Sequence, residues 1–172
     1  LSFNELNLNS YKIMAIAHRL LGKEAMAEKV LAEILEIDPL NHFVLFEAYM
    51  LRPGSGTLEN FNQSFKNEMA REEYLETALF YEGLALYEEA VKVLEEAPDY
   101  PVIHYWLAWL NKDDSQKSVN YLKKALEADP AYVFPYRNRT LPVLQWASLQ
   151  QAFWITDYYA ALILWSRGKG QE

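Results

Sequence analysis

The residues of this chain that could bind a metal ion or act as a general base are few and lie far apart. The three histidines fall on three different predicted helices, and no His-x-x-x-His or Glu-x-x-His spacing occurs. The run Asp113-Asp114-Ser115 offers oxygen ligands, but it lacks the alternating ligands, the glycine and the distal Glu of a calcium loop. Helix capping explains this run better. We therefore predict no metal site and no cofactor, with ordinary core or surface roles for His18, His42 and His104.

Groups for acid–base or nucleophilic catalysis are also poorly represented. Glu88-Glu89 and Glu95-Glu96 could act as paired carboxylates, but on an amphipathic helix they form the solvated face. The sequence has no Gly-rich phosphate loop and no Ser or Cys nucleophile motif. Because the chain has no cysteine, disulfides and thiolate chemistry are excluded. The sequence therefore predicts no catalytic residue and favours a protein that is not an enzyme.

The composition is that of a folded, acidic protein. Of the 172 residues 51% are hydrophobic and 15% are aromatic, which excludes a disordered chain. The net charge of −8 argues against a nucleic-acid or anionic-membrane partner, because phosphates need a basic face. The longest apolar run, residues 158–165, is far shorter than the ~20 residues that cross a bilayer. Since the chain begins with Leu1, we expect a piece of a longer protein, from either the cytoplasm or the periplasm.

Two stretches of the sequence are nearly the same and indicate an internal repeat. Residues 29–39 (KVLAEILEIDP) recur as residues 120–130 (NYLKKALEADP), and residues 91–98 (VKVLEEAP) are a shorter echo. Each stretch has apolar residues every three to four positions and stops at proline, as a helix packed on one side does. Recurrence of such a unit predicts a stacked helical repeat, a type of architecture that usually binds other proteins.

The periodicity along the chain predicts an all-α fold of about ten helices with no β-strand. We expect Ser10, Thr57 and Thr140 to cap the helices that follow them. Pro135 would break a helix, so residues 131–137 are expected to form a partly extended aromatic segment. The predicted helices cover residues 11–21, 24–36, 41–51, 57–69, 72–84, 87–96, 101–110, 115–128, a ninth that starts at 140, and 153–167.

We expect a single helical-repeat domain over residues 1–172. A loose lead-in over residues 1–9 precedes the clearest repeat, residues 10–39. The remaining divisions are a degenerate repeat at 41–70, repeats at 71–98 and 101–130, and an aromatic loop with two helices at 131–172.

The first two helices resemble a tetratricopeptide repeat, which is a helix pair with small residues at the crossing and a proline at its end. The matching residues are Tyr11, Met14, Ala15, Gly22, Ala27 and Pro39, then Tyr87 and Ala90, then Leu122, Ala125 and Pro130. The spacing of the three prolines Pro39, Pro98 and Pro130 departs from the ~34-residue period of this family. The resemblance implies stacked antiparallel hairpins in a right-handed α-solenoid with irregular repeats.

The resemblance also implies a binding groove, because the first helix of each repeat lines a concave surface in this family. Exposed Tyr and Trp side chains there would be suitable hot spots for a protein or peptide partner. The alternative is that these rings pack between repeats. The residues that the resemblance places in the groove are Lys12, Ile16, Arg19, Leu75, Leu79, Tyr105, Trp109, Tyr158 and Trp165.

Arg137 and Arg139 lie beside Phe134 and Tyr136 in the aromatic segment. Guanidinium groups bind carboxylates and phosphates through paired hydrogen bonds, so these two arginines are a candidate anion pocket. The alternative is a loop that packs on the repeats and leaves its arginines in solvent.

Residues 132–137 and 143–147 are similar to part of the degenerate tetratricopeptide region of large bacterial proteins that carry an N-terminal β-rich domain of unknown function. Two functions follow from these resemblances. The first is a non-enzymatic scaffold that binds a protein or peptide segment in its concave groove. The second is a helical accessory or oligomerisation region of a larger bacterial enzyme, for example a carbohydrate-related one. We also expect self-association through exposed terminal helices.

Overall fold

The structure, a computed structural model, describes residues 8–54, 56–65 and 69–168. In these ranges it contains ten α-helices and no strand, which confirms the all-α prediction. The chain divides into two compact units, which are Leu1–Glu73 (unit 1) and Tyr74–Glu172 (unit 2). The helices are α1 Leu8–Leu20, α2 Glu24–Ile37, α3 His42–Leu51, α4 Thr57–Ser64, α5 Ala70–Glu82, α6 Tyr87–Glu95, α7 Pro101–Leu110, α8 Ser115–Glu127, α9 Thr140–Gln150 and α10 Trp154–Trp165.

The α1–α2 hairpin of unit 1 is closed by a turn that needs a left-handed residue. Gly22 has φ +68°, and its N–H donates to the Arg19 carbonyl while the Lys23 N–H donates to the His18 carbonyl. These two bonds form the Schellman arrangement that ends many helices. The α5–α6 turn repeats this arrangement with Ala85 at φ 59°, so an alanine occupies the conformation that glycine favours.

A buried ion pair joins α1 to α3 within unit 1. The Arg19 guanidinium donates from Nε to Glu47 Oε2 at 2.8 Å and from Nη2 to Oε1 at 3.2 Å. Glu47 has no exposed surface, and the Arg19 side chain is 11% exposed. Because a buried carboxylate needs a charged partner, this pair fixes how α1 lies on α3.

Helix α7 is the central element of unit 2, and it packs against α6, α8 and α9. It starts at Pro101, where a missing N–H costs nothing. The Trp106 indole N–H donates to Thr140 Oγ1 at 3.1 Å at the start of α9, and the Ser118 hydroxyl of α8 donates to the Ala108 carbonyl at 3.0 Å. These bonds satisfy buried polar groups on both sides of α7.

Several predicted helix ends are wrong by a few residues. Helix α1 already includes Leu8, so Ser10 lies inside the helix and does not cap it, and most of the predicted lead-in lies outside the described residues. Helix α4 ends at Ser64 rather than at 69, and its N-cap residue is Gly56 in the left-handed conformation, with Thr57 as the first helical residue. The Thr140 hydroxyl accepts from Trp106 and does not cap α9. At α8 the predicted cap is confirmed, because Asp114 accepts the Lys117 N–H.

Between α8 and α9, a turn at residues 131–132 with Tyr132 at φ 59° precedes a non-helical stretch over residues 133–137, where Pro135 predicted that no helix would form. Val133 and Pro135 are buried, whereas Tyr132, Phe134 and Tyr136 are exposed. Alternation of this kind places every second side chain on the core. The segment therefore covers part of unit 2 while presenting three aromatic rings to solvent.

Candidate partner-binding site

One concave feature of unit 2 is a cleft of about 590 Å³ between α8 and α9, here called the α8–α9 cleft. Both helices pack on α7, and the space between them is left open. Its lining residues are Lys112, Ser115, Ser118, Val119, Leu122, Lys123, Leu126, Glu127, Trp146, Gln150, Gln151 and Phe153.

The floor of the α8–α9 cleft is apolar. Val119, Leu122 and Leu126 follow one another on α8 at spacings of three and four residues, so they share one face of the helix. Trp146 of α9 and Phe153, which precedes α10, form the opposite side. Val119 is 58% exposed, which is unusual for an apolar side chain between two helices. Such a surface gains free energy when a partner side chain covers it.

One lining residue of the cleft, Trp146, packs against a second tryptophan that does not itself line the cleft. Trp109 and Trp146 meet edge to face, with ring centroids 5.4 Å apart and an interplanar angle of 77°. Lys112 Nζ lies 4.7 Å from the Trp109 ring centroid, within cation–π distance. These contacts hold the Trp146 ring in one orientation, and a rigid aromatic wall is a favourable anchor for a partner because little entropy is lost on binding.

The rim of the cleft is polar and carries charges of both signs. Lys123 and Glu127 of α8 form an exposed pair with 3.7 Å between Nζ and Oε1. Gln150 and Gln151 lie on the side of α9. An apolar floor inside a polar rim is the usual arrangement of a protein-binding surface.

Tyr105, predicted to lie in the groove, is part of the core of unit 2. It has no exposed surface, its hydroxyl forms a 2.7 Å hydrogen bond with the Thr156 hydroxyl of α10, and its ring meets the Tyr159 ring edge to face. Burial raises the pKa of the Tyr105 phenol above its ordinary value, despite the opposing effect of the Thr156 bond. Helix α10 thus covers the face of α7 that carries Tyr105. A partner cannot reach this ring without displacing α10.

The other predicted groove residues of unit 2 differ in their exposure. Trp109 is partly buried, and its ring packs against Trp146, which lines the α8–α9 cleft. Tyr158 and Trp165 are 46% and 73% exposed on the outer side of α10. The structure therefore does not bring these rings together with Tyr105 on one surface. Leu75 and Leu79 of α5 are buried.

In unit 1 the predicted groove residues are held by neighbours. Arg19 forms the ion pair with Glu47, and Ile16 is buried. Lys12 Nζ lies 5.3 Å from the centroid of the Phe43 ring of α3. Both cations thus contact α3 of their own unit, and a binding role for Lys12 and Arg19 stays a prediction.

Arg137 and Arg139 both contact carboxylates of α5. Arg137 Nη2 lies 3.4 Å from Glu76 Oε2, and its guanidinium lies 5.2 Å from the Tyr136 ring centroid. Arg139 pairs with Glu82 and donates to the Leu79 carbonyl at 3.0 Å. An external anion at these arginines would compete with fixed carboxylates. The contacts favour a tether between the extended segment and α5, and the anion pocket stays a prediction.

A chain of polar contacts in unit 1 has the residue types of a hydrolase triad. His42 Nδ1 lies 2.8 Å from Ser64 Oγ, and His42 Nε2 lies 2.8 Å from Glu73 Oε2. The Ser64 hydroxyl donates to the Phe61 carbonyl at 2.6 Å, so its oxygen accepts from the imidazole. The hydroxyl proton is therefore not directed at His42, as a nucleophile requires. Ser64 also ends α4, and the C-terminal end of a helix presents carbonyl groups rather than oxyanion-stabilising N–H groups. This chain joins α3, α4 and α5.

The part of the chain that the structure describes contains no group of three or more His, Asp or Glu side chains placed to hold a metal ion. Among the same residues no helix has the length and apolar character needed to span a membrane.

The residues that sequence reasoning missed are Val119, Trp146 and Phe153. Val119 was detectable as the one apolar residue in the first six residues of α8, SQKSVN. Trp146 and Phe153 gave no such signal, because their contribution depends on how α9 packs on α7.

A family model of the tetratricopeptide repeat matches residues 106–132. Two crystal structures of MamA resemble this chain, each at 16% identity and a TM-score of 0.36. The alignments cover 91% and 92% of this chain and 95% and 91% of the MamA chains. At these values the likeness carries no argument. No curated protein sequence matches the chain. The matched residues include the end of α7 and all of α8. The part of the chain that forms one wall of the α8–α9 cleft therefore resembles a tetratricopeptide repeat, a type of unit that generally mediates protein–protein interactions.

Proposed function

We propose that this protein is a non-enzymatic scaffold that binds a segment of another protein in the α8–α9 cleft. The observation that carries the proposal is the open α8–α9 cleft, in which Val119 is 58% exposed beside the buried Leu122 and the partly exposed Leu126. An apolar surface of this kind that remains open in a folded chain is typical of a ligand or protein interface. The tetratricopeptide repeat at residues 106–132 supports a protein as the partner.

The cleft favours a short helix or turn that presents two or three apolar side chains. Its volume of about 590 Å³ suits a few large side chains and is too small for a whole domain surface. Because the floor lies along one face of α8, anchors spaced by three or four residues would follow it. The mixed charges of Lys123 and Glu127 on the rim favour a partner segment with polar flanks and no strong net charge.

Selection from a displayed peptide library tests this proposal. We expect enriched peptides with apolar anchors at a spacing of three or four residues. Val119→Glu would place a carboxylate on the apolar floor, and we expect affinity for such a peptide to fall about tenfold or more. Since Val119 is exposed, this change should leave the fold intact.

The matched control is Ile13→Glu, which makes the same type of change at an exposed apolar position on α1. Affinity of the selected peptide should not change in this variant. Peptides that bind Val119→Glu as well as the parent chain, or a library that yields no binder, would refute the cleft as the binding site.

The second candidate function is a helical accessory or oligomerisation region of a larger enzyme. The observation that favours it is the exposed aromatic side of α10, with Trp154 69% and Trp165 73% exposed. A region of this kind would use α10 to contact a neighbouring domain or subunit and would leave the α8–α9 cleft unoccupied. Variants of Val119 and of α10 therefore separate the two candidates.

A further inference from the structure

The α8–α9 cleft differs in charge between its two ends. Helix α8 extends about 18 Å from Ser115 to Glu127, so these two lining residues mark opposite ends of one wall. Lys112 precedes α8 and lies at the Ser115 end. At the other end the Glu127 carboxylate lies 3.7 Å from the Lys123 ammonium. One end therefore carries a cation, whereas the two charges at the other end compensate each other.

The direction of α9 determines which of its residues lie at the Lys112 end. Trp106 of α7 donates to Thr140 at the start of α9, and Trp109, further along α7, contacts Trp146, further along α9. Helix α9 therefore runs parallel to α7. Helix α8 returns along α7 after the turn at residues 111–114. The end of α9 and the start of α8 consequently lie at the same end of the cleft.

Several hydrogen-bond donors collect at this end. Gln150 and Gln151, at the end of α9, line the cleft together with Lys112 and Ser115. The ammonium, the hydroxyl and the two side-chain amides can all donate to an acceptor. An ionised carboxylate is the protein group that only accepts hydrogen bonds, so it is the partner group that fits this end best.

Aromatic rings of the same unit hold the Lys112 ammonium. Its Nζ lies 4.7 Å from the centroid of the Trp109 ring and 6.0 Å from that of the Tyr87 ring. Within the part of the chain that the structure describes, no carboxylate forms an ion pair with this ammonium. A partner carboxylate could therefore pair with Lys112 without displacing a carboxylate of this chain, in contrast to the situation at Arg137 and Arg139.

The charge of the whole chain limits how acidic the partner segment can be. The net charge of −8 repels a run of acidic residues, whereas the charged residues that line the cleft are two lysines and one glutamate. A single carboxylate gains the direct contact with Lys112 and meets little of the long-range repulsion. This balance favours a segment with one acidic residue at one end of its apolar anchors.

We infer that the Lys112 end of the α8–α9 cleft binds an Asp or Glu side chain of the partner segment, and that this contact sets the direction in which the segment lies along α8. The inference rests on the proposed function, because it names the chemistry of the segment that the cleft binds. In the reversed direction the acidic side chain would lie near the Glu127 carboxylate, and like charges at an interface disfavour binding.

Peptides selected from a displayed library against the parent chain test the inference. We expect an Asp or Glu at a fixed position on one side of the apolar anchors. Exchange of this residue for its amide should weaken binding about three- to tenfold. Lys112→Met should weaken binding of the acidic peptide by the same factor and leave the amide peptide unchanged. The effect of Lys112→Met should become smaller at high salt, since salt screens an exposed pair.

Charge reversal tests the direction. Selection against Lys112→Glu should enrich Lys or Arg at the position where the parent chain selects Asp or Glu. A peptide whose acidic residue is moved to the other side of the anchors should bind the parent chain more weakly.

The matched control is Lys124→Met. Lys124 is an exposed lysine of α8 whose Nζ lies 5.5 Å from the Tyr121 ring centroid, and it does not line the cleft. This variant should bind both peptides like the parent chain. Equal weakening of the acidic and amide peptides by Lys112→Met, or selected peptides that depend on Val119 and show no acidic preference, would overturn the inference and leave the proposed function intact. A library without any binder would overturn both.

Discussion

Arg19 and Glu47 form a buried ion pair in unit 1, and each charge is stabilised in the interior by the other. Glu47 has no exposed surface, and both of its oxygens accept hydrogen bonds from the guanidinium. Removal of one member of a buried pair leaves an uncompensated charge in the interior, which costs more than the pair contributes as a whole. The pair therefore specifies the packing of α1 on α3 more than it stabilises the fold.

We predict that Glu47→Ala lowers the free energy of unfolding by about 3–5 kcal/mol, measured by urea denaturation. The double variant Arg19→Leu/Glu47→Leu should recover much of this loss, since no charge is then left unpaired. Glu28→Ala is the control, because its pair with Arg52 is exposed and should contribute less than about 1 kcal/mol. Equal losses for Glu47→Ala and Glu28→Ala would contradict this view.

The raised pKa of the buried Tyr74 phenol predicts that the protein loses stability at alkaline pH. Burial, with a smaller effect from the charge of Glu96, raises its pKa from 10.0 to about 12. The folded state therefore holds the phenol proton more tightly than the unfolded state, and the associated stability is present below pH 10 and is lost as the pH rises toward 12. Tyr74→Phe should reduce the slope of stability against pH in this range, measured by urea denaturation at several pH values. Tyr132→Phe, at an exposed tyrosine, should leave the slope unchanged.

At the scale of elements, the two hairpins α1–α2 and α5–α6 show one turn built from different residues. Both turns have the same pair of backbone hydrogen bonds and a residue in the left-handed conformation two positions before the second helix. Gly22 adopts this conformation freely, whereas Ala85 is strained by its Cβ atom.

We predict that Ala85→Gly raises the free energy of unfolding by about 0.5–1 kcal/mol, as relief of strain exceeds the added entropy of the unfolded chain. Gly22→Ala should have the opposite sign and cost about 1 kcal/mol, since open space surrounds the new Cβ and only backbone conformation opposes it. Thermal and urea denaturation of both variants provide the measurement. Changes of the same sign in the two variants would contradict the strain at Ala85.

The helices of this chain could be predicted from its sequence because apolar periodicity and proline are local signals. Helix α7 was predicted with both ends correct, since Pro101 fixes its start. The end of α4 was wrong because nothing local in residues 57–69 marks Ser64 as the last helical residue. The groove residue Tyr105 could not be placed from sequence, because its burial depends on α10 packing over α7, a contact between residues 51 positions apart.

At the scale of the whole molecule, all five tryptophans lie in unit 2, so their fluorescence reports on that unit, while far-ultraviolet circular dichroism reports on every helix. The single repeat domain over residues 1–172 stays a prediction, and these two signals test it. We predict that Glu47→Ala, although in unit 1, shifts both urea midpoints by the same amount, as one cooperative domain requires. A shift in the dichroism midpoint alone would mean that the two units unfold independently.

The arrangement of α8 and α9 on α7 also determines how the α8–α9 cleft can move. Helix α8 packs mainly on α7, whereas α9 packs on both α7 and α10, so a change in the width of the cleft requires one wall to tilt on α7. Small rigid-body tilts of this kind occur on microsecond to millisecond timescales. We therefore expect the cleft to adjust its width to side chains of different size, which would make its selectivity among partners graded rather than all-or-none.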